Sequence, residues 1–390
     1  MREKAIRRSA VAVPATLLAV TLLATVGCGG HTAEPNTIAE PSAQVSEALG
    51  DLVRSGLPGA QAVISGPYGQ RIVTAGSGDL GTGAPYADGA HFRIGSVTKT
   101  FVATVVMQLA EAGVVTLDTP IERYLPGVVQ GGGNDGNRIT VRQLLQHTSG
   151  LADFAPEDVA HKLPQQLDQT SDGMAYRDLA PADLIRIAMT MPPQFEPGAQ
   201  FQYTNTNYVL LGMMIERLTG QRLAAEIDAR ILKPLALHDT YFPVAGETGL
   251  RDPHPLGYHK VDGRWIDTTT MEAAWAGAAG AIVSTGADLN RFITALTTGK
   301  LLPTRQLAQM ETTIPMAPGA EMNYGLGLIR FQVPCGQQHK EVWGHSGGIP
   351  GFSTLTIATP EGTAATISVN TEQTNDQFST TLTTIICSLA

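Results

Sequence analysis

The feature that most limits how this chain can fold is where its strand-like segments lie: at the two ends of the body, with a long helix-patterned stretch between. Residues 61–65 and 70–74 alternate about Gly66-Pro67-Tyr68-Gly69 and read as a hairpin. Toward the other end, residues 323–333, 341–343, 353–358 and 364–370 read as short strands, the last two joined by Thr359-Pro360-Glu361-Gly362. Helical period predicts helices over 43–54, 97–112, 141–146, 182–191, 208–219, 223–231, 287–297 and 377–387. Strands from both termini then share one antiparallel sheet, an α+β arrangement. Residues 43–95 and 320–390 form the expected sheet domain and 96–319 a mostly helical one, with the cleft where the two meet.

Composition narrows the function. Of 390 residues 43% are hydrophobic and 16% charged, which is ordinary for a globular chain. Lys and Arg number 26 against 35 Asp and Glu, a net charge of −9, and no basic stripe follows residue 8, so nucleic acid is excluded as a partner. None of the nine histidines and three cysteines makes a HExxH, CxxC or HxxxH ligand spacing, so neither metal nor cofactor is expected.

Residues 1–27 read as a secretory signal: Arg2, Lys4, Arg7 and Arg8 precede an apolar run from about Ala10 to Val26. The run Ala24-Thr25-Val26-Gly27-Cys28 is similar to the bacterial lipobox, which implies cleavage before Cys28 and a lipid anchor in the cell membrane. Residues 28–42 then form a lipid-attached linker. The removed segment carries +3, so −9 less +3 leaves the exported body at −12. Export also leaves Cys335 and Cys387 as an even pair, for which a disulfide is expected.

Ser96-Val97-Thr98-Lys99 opens a helix whose Phe101, Val102, Val105, Val106 and Leu109 share one face, and a three-residue spacing points Ser96 and Lys99 the same way. A helix start offers free N–H groups to an oxyanion, and a desolvated lysine can take the serine proton. Tyr203-Thr204-Asn205 precedes another helix. A phenol there can shuttle a proton if neighbouring cations lower its pKa, and an amide can grip a substrate amide. His345-Ser346-Gly347 lies on a strand-like stretch, where glycine lets a substrate backbone lie alongside.

In this order, with Tyr-x-Asn 107 positions after Ser96 and His-x-Gly 142 after that, the elements resemble the serine β-lactamase and penicillin-binding superfamily, in its class C β-lactamase and D-alanyl-D-alanine carboxypeptidase branch. Phe92-Arg93-Ile94-Gly95, the run from Leu144 to Leu151, Tyr203 to Gly212, and Trp343 to Phe352 carry the resemblance further, over about residues 45–390. It implies Ser96 as nucleophile, Lys99 as its activator, Tyr203 as proton shuttle and Asn205 as amide clamp. It also implies an oxyanion hole from the N–H groups of Ser96 and Gly348, with His345, Ser346 and Arg330 as further substrate contacts. The Cys335 and Cys387 pair resembles the disulfide of a secreted actinomycete carboxypeptidase of that branch. Threonine is usual in the carboxypeptidases at Ser346 and often at Gly348, where hydroxyls touch a substrate carboxylate. Glycine at 348 removes one of them.

The expectation is an extracytoplasmic hydrolase forming an acyl-enzyme on Ser96, acting as a carboxypeptidase on D-Ala-D-Ala-like cell-wall peptides. A β-lactam or an ester is the alternative substrate for the same residues, and a non-catalytic penicillin-sensing or wall-binding lipoprotein is the alternative of another class. Oligomeric state is left open. Because His345 stands where class C lactamases have lysine, a pH profile bending between about 5.5 and 7.5 is expected of it. Two tempting motifs are set aside. His147-Thr148-Ser149-Gly150 reads as a helix-end turn. Gly344-His345-Ser346-Gly347-Gly348 fits the Gly-x-Ser-x-Gly elbow, yet Pro350 and Gly351 follow where the elbow needs a helix.

Overall fold

A computed structural model describes residues 41–67, 69–154, 180–372 and 374–389. The signal segment, Cys28 and nearly all of the linker lie outside them.

Helix α1 (Pro41–Arg54) leads into the hairpin of β1 (Gly59–Gly66) and β2 (Gly69–Gly76). From the far end of the chain come β3 (Ile314–Pro315), β4 (Met322–Tyr324), β5 (Ile329–Cys335), β6 (Gln338–Ile349), β7 (Phe352–Ala358) and β8 (Ala364–Val369). All eight join one sheet in the order β2-β1-β8-β7-β6-β5-β4-β3. The two ends of the chain meet where β1 pairs antiparallel with β8, Val63 opposite Thr366. The central strands β7 and β8 are buried along their whole length, the burial expected of a sheet covered on both faces.

Between the strand groups run α2 (Thr98–Glu111), α3 (Asn205–Thr219) and α4 (Gly286–Thr297), with shorter helices among them. Helix α2 is buried on nearly every side, so its apolar residues do not form a single stripe: Phe101 stacks on Phe292 of α4 at 3.7 Å, and Val102, Val105 and Val106 are fully enclosed. Helix α4, placed by its sequence in the helical part, lies on the sheet. Asn290 Nδ2 donates to the carbonyl of Val63 at 2.8 Å, and a Cβ on Gly286 would meet Val63 Cγ2 at 2.5 Å.

Helix α5 (Asp376–Ser388), capped by Asn375, closes the chain. Thr381 Oγ1 on its buried face donates to the carbonyl of Ala48 in α1, and Cys387 near its end forms the expected disulfide with Cys335 at the end of β5, Cα to Cα 5.4 Å. The sequence-based strand at 341–343 is a twelve-residue strand, β6, and the one at 323–333 divides into β4 and β5. A hairpin of Tyr258–Val261 with Arg264–Asp267 was not anticipated.

Candidate active site

Ser96 sits in a tight turn, Gly95–Val97, that feeds α2. The turn lies against the end of β6. Gly95 has φ +51°, and a Cβ on it would stand 2.7 Å from the Gly348 carbonyl oxygen; on Gly347 it would stand 2.0 Å from the Ile94 carbonyl and 2.9 Å from the Ser96 nitrogen. Two glycines therefore let two backbones touch, and the contact brings the peptides of Ser96 and Gly348 together.

Lys99, the second residue of α2 and about one turn past Ser96, is fully buried. Its Nζ lies 2.9 Å from Ser96 Oγ, 2.8 Å from Asn205 Oδ1 and 2.7 Å from the Ala279 carbonyl. The last two are carbonyl oxygens and can only accept. As a neutral amine Lys99 gives them its two hydrogens and turns its lone pair to the serine hydroxyl. Burial lowers its pKa to about 7, against the charge of Asp153, which pulls the other way.

Asn205 starts α3, where Thr204 caps the helix. Asp153 Oδ2 accepts from the Asn205 backbone N–H at 2.8 Å and from its Nδ2 at 3.1 Å, which fixes the amide with its oxygen toward Lys99. Asp153 was not foreseen, because its neighbours in sequence give no hint of a carboxylate aimed at a helix start 52 positions on.

The Tyr203 ring packs against Lys99, Nζ to centroid 4.8 Å, with its hydroxyl beside Ser96. Burial raises its pKa, contrary to the sequence-based expectation of a phenol acidified by cations. Tyr203 remains protonated and can relay a proton but not act as the base. His345 also departs from expectation. It is buried, Tyr324 Oη lies 2.9 Å from its Nε2, and its Nδ1 lies 2.5 Å from the Ser346 carbonyl. A carbonyl only accepts, so Nδ1 carries the hydrogen and Nε2 accepts from Tyr324: a neutral ring, its pKa lowered to about 3 by burial. No bend between 5.5 and 7.5 comes from it.

Ile349 opposes Phe352 across a two-residue turn, so alternation directs the peptide groups of Ser346 and Gly348 away from β7. β5 pairs with that far edge only as far as Gly344, opposite Ile329. Beyond it no strand of the described residues pairs with the edge, and the Gly348 N–H points there. Arg330 lies opposite Trp343, one register step from the side of Ser346, which Ile329 takes. The ladder thus gives no support to Arg330 as the grip for a substrate carboxylate. Ser346 is in a strand followed by a hairpin, not the elbow of another fold. His147 and Ser149 are buried behind the site. The His147 ring lies 4.2 Å from that of Tyr203, and Ser149 Oγ donates to Asn207 Oδ1 at 2.6 Å.

A serine, a lysine of lowered pKa and two adjoining backbone N–H groups can carry out acyl transfer. Comparison with known proteins agrees with this. The Beta-lactamase family model matches residues 39–387. In structure the chain is similar to a D-stereospecific amidohydrolase from Streptomyces sp., 37% identical, over 90% of this chain and 99% of that one, with a TM-score of 0.81. It is also similar to the D-amino acid amidase from Ochrobactrum anthropi, 27% identical over 89% and 98% of the two chains, TM-score 0.75. Esterase EstB from Burkholderia gladioli is 36% identical over 190 residues, 48% of this chain and 47% of the esterase, so the match spans about half that relative's length. The chain belongs to the Beta-lactamase family and is a serine hydrolase with that family's fold.

Proposed function

We propose that the chain is an extracytoplasmic amidohydrolase that cleaves short D-configured peptides or amides through an acyl-enzyme on Ser96. The observation that carries this reading is Lys99, with two hydrogens held by carbonyl oxygens and its third position on Ser96 Oγ at 2.9 Å. Lys99 takes the hydroxyl proton as Oγ bonds to the substrate carbonyl carbon. The oxyanion is received by the N–H groups of Ser96 and Gly348. When the C–N bond breaks, the proton passes by way of the Tyr203 hydroxyl to the leaving amine. Water then attacks the ester, giving its proton to Lys99, and Ser96 recovers its hydrogen.

The D-configuration is supported by likeness to the amidohydrolase and the amidase, and the D-alanyl-D-alanine peptide of cell walls falls in this substrate class. An extracytoplasmic, lipid-anchored location is supported by the signal-like start with Cys28, and by a disulfide suited to an oxidising compartment.

Intact-protein mass spectrometry after exposure to benzylpenicillin and to D-alaninamide tests the reading. A stoichiometric adduct on Ser96, and amide turnover that falls about 10⁴-fold in Ser96→Ala, are expected. Rapid loss of the penicillin adduct with hydrolysed drug indicates a β-lactamase. No adduct and no turnover indicates the non-catalytic wall-binding protein.

A further inference from the structure

Past the end of β8 the chain runs through Asn370 and Thr371 to Glu372. Glu372 Oε1 lies 3.3 Å, and Cγ 3.6 Å, from the point where a Cβ on Gly348 would stand. The carboxylate is therefore on the side of β6 that carries Ser346, next to the peptide whose N–H is assigned to the oxyanion. Ser353 Oγ donates to the Glu372 carbonyl at 3.2 Å, tying this residue's backbone to β7. Among the described residues the carboxylate has no ion-pair partner and accepts no hydrogen bond. Lys99, engaged by Ser96, Asn205 and Ala279, does not neutralise it. Water reaches Glu372, yet protein walls it closely enough that burial raises its pKa to about 7.

The family resemblance implies that hydroxyls at 346 and 348 receive a substrate carboxylate. Here the second hydroxyl is replaced by hydrogen, and the space beside it holds the Glu372 carboxyl group. We infer that Glu372 is a specificity-determining residue: it makes the subsite beside Ser346 and Gly348 accept a substrate end that bears an ammonium group and repel one that bears a carboxylate. This deepens the reading of Ser96 as an amide-cleaving nucleophile and rests on it. Carboxylate-ended D-alanyl-D-alanine is accordingly a poor substrate, and its analogues with a basic end are good ones.

Three compounds of one shape test this at pH 8, where Glu372 is mostly ionised: D-alanyl-D-alanine, its carboxamide, and the analogue with aminomethyl in place of the carboxylate. Each is measured for kcat/KM and as a competitor of p-nitrophenyl acetate hydrolysis, with the wild type and with Glu372→Gln. An exposed carboxylate without partners can be exchanged for its isosteric amide without disturbing the fold. In the wild type the ammonium compound is expected to exceed the carboxylate one by about 10- to 100-fold, a ratio that falls by about tenfold or more in Glu372→Gln. A preference for the carboxylate compound in the wild type, or a ratio that Glu372→Gln leaves unchanged, overturns the inference. If none of the three is cleaved but they compete in the expected charge order, the amide reading fails and the role of Glu372 stands. If ester hydrolysis persists in Ser96→Ala, the nucleophile assignment fails.

Discussion

Tyr324 holds the far nitrogen of His345 in a hydrogen bond of 2.9 Å, which seats the imidazole as a neutral ring in a site whose burial already disfavours its charge. With Nδ1 on the Ser346 carbonyl and Nε2 accepting, the ring stays uncharged through the working range; of the two groups left to ionise near neutrality, Glu372 lies beside Gly348 and Lys99 alone bonds Ser96. Lys99 serves as base only when neutral. With an uncharged substrate kcat/KM is expected to fall tenfold per unit as pH drops below about 7 and to level off above it. His345→Gln lowers activity but leaves that limb in place. Profiles of wild type and variant decide the point: a limb that vanishes with His345 contradicts the assignment to Lys99.

Asp153 acts on the same limb from the other side. Its charge favours the ammonium form of Lys99, so Asp153→Asn is expected to move the limb to lower pH. The variant also weakens the two contacts that orient Asn205, and kcat/KM on the plateau drops on the order of tenfold. A plateau loss without a moved limb limits Asp153 to orientation.

Gly347 is predicted to tolerate no side chain. A methyl group there stands 2.0 Å from the Ile94 carbonyl, and neither backbone is free to yield. Gly347→Ala pushes β6 from the Ser96 turn and separates the two N–H groups to which the proposed mechanism assigns the oxyanion. Since a displacement of about 1 Å costs roughly 10²-fold in rate, acylation by p-nitrophenyl acetate should fall at least that far. Stopped-flow measurement alongside a thermal melt distinguishes this from unfolding.

The Cys335–Cys387 bond spans 52 positions and ties β5 to α5. Loop-closure entropy gives it about 4 kcal/mol of stability. Guanidinium titration with and without reductant is expected to show a loss of that order. A midpoint insensitive to reductant means that the α1–α5 packing, with Thr381 on Ala48, holds the helix unaided.

Much of this was legible because period and spacing are local properties. The three-residue step from Ser96 to Lys99, the hairpin at 66–69 and the helix ahead of Cys387 all follow from neighbours in sequence. Of β6 only 341–343 were read as a strand, with His345 to Gly347 on a strand-like stretch, since Gly344, Gly347 and Gly348 give no apolar alternation to extend it. In the fold they are what lets the strand touch the turn of Ser96. Asp153, Tyr324 and Glu372 were not foreseen, since each reaches the site from an unrelated stretch and a lone Asp, Tyr or Glu carries no periodic mark. Tyr203 and His345 were placed but mischarged: burial, which sets both pKa values, cannot be read before packing is known.

The pairing of β5 with β6 stops at Gly344, and the turn at Pro350 and Gly351 closes the other end, so among the described residues the bare rim of β6 is five residues long, from His345 to Ile349. At about 3.3 Å per residue this is roughly 16 Å of unmatched ladder. Such a rim is too brief to template another protein's strand and thereby seed aggregation. On the proposed reading the same gap in the ladder seats a short extended substrate beside Ser96, whose halves leave once the bond between them is cut.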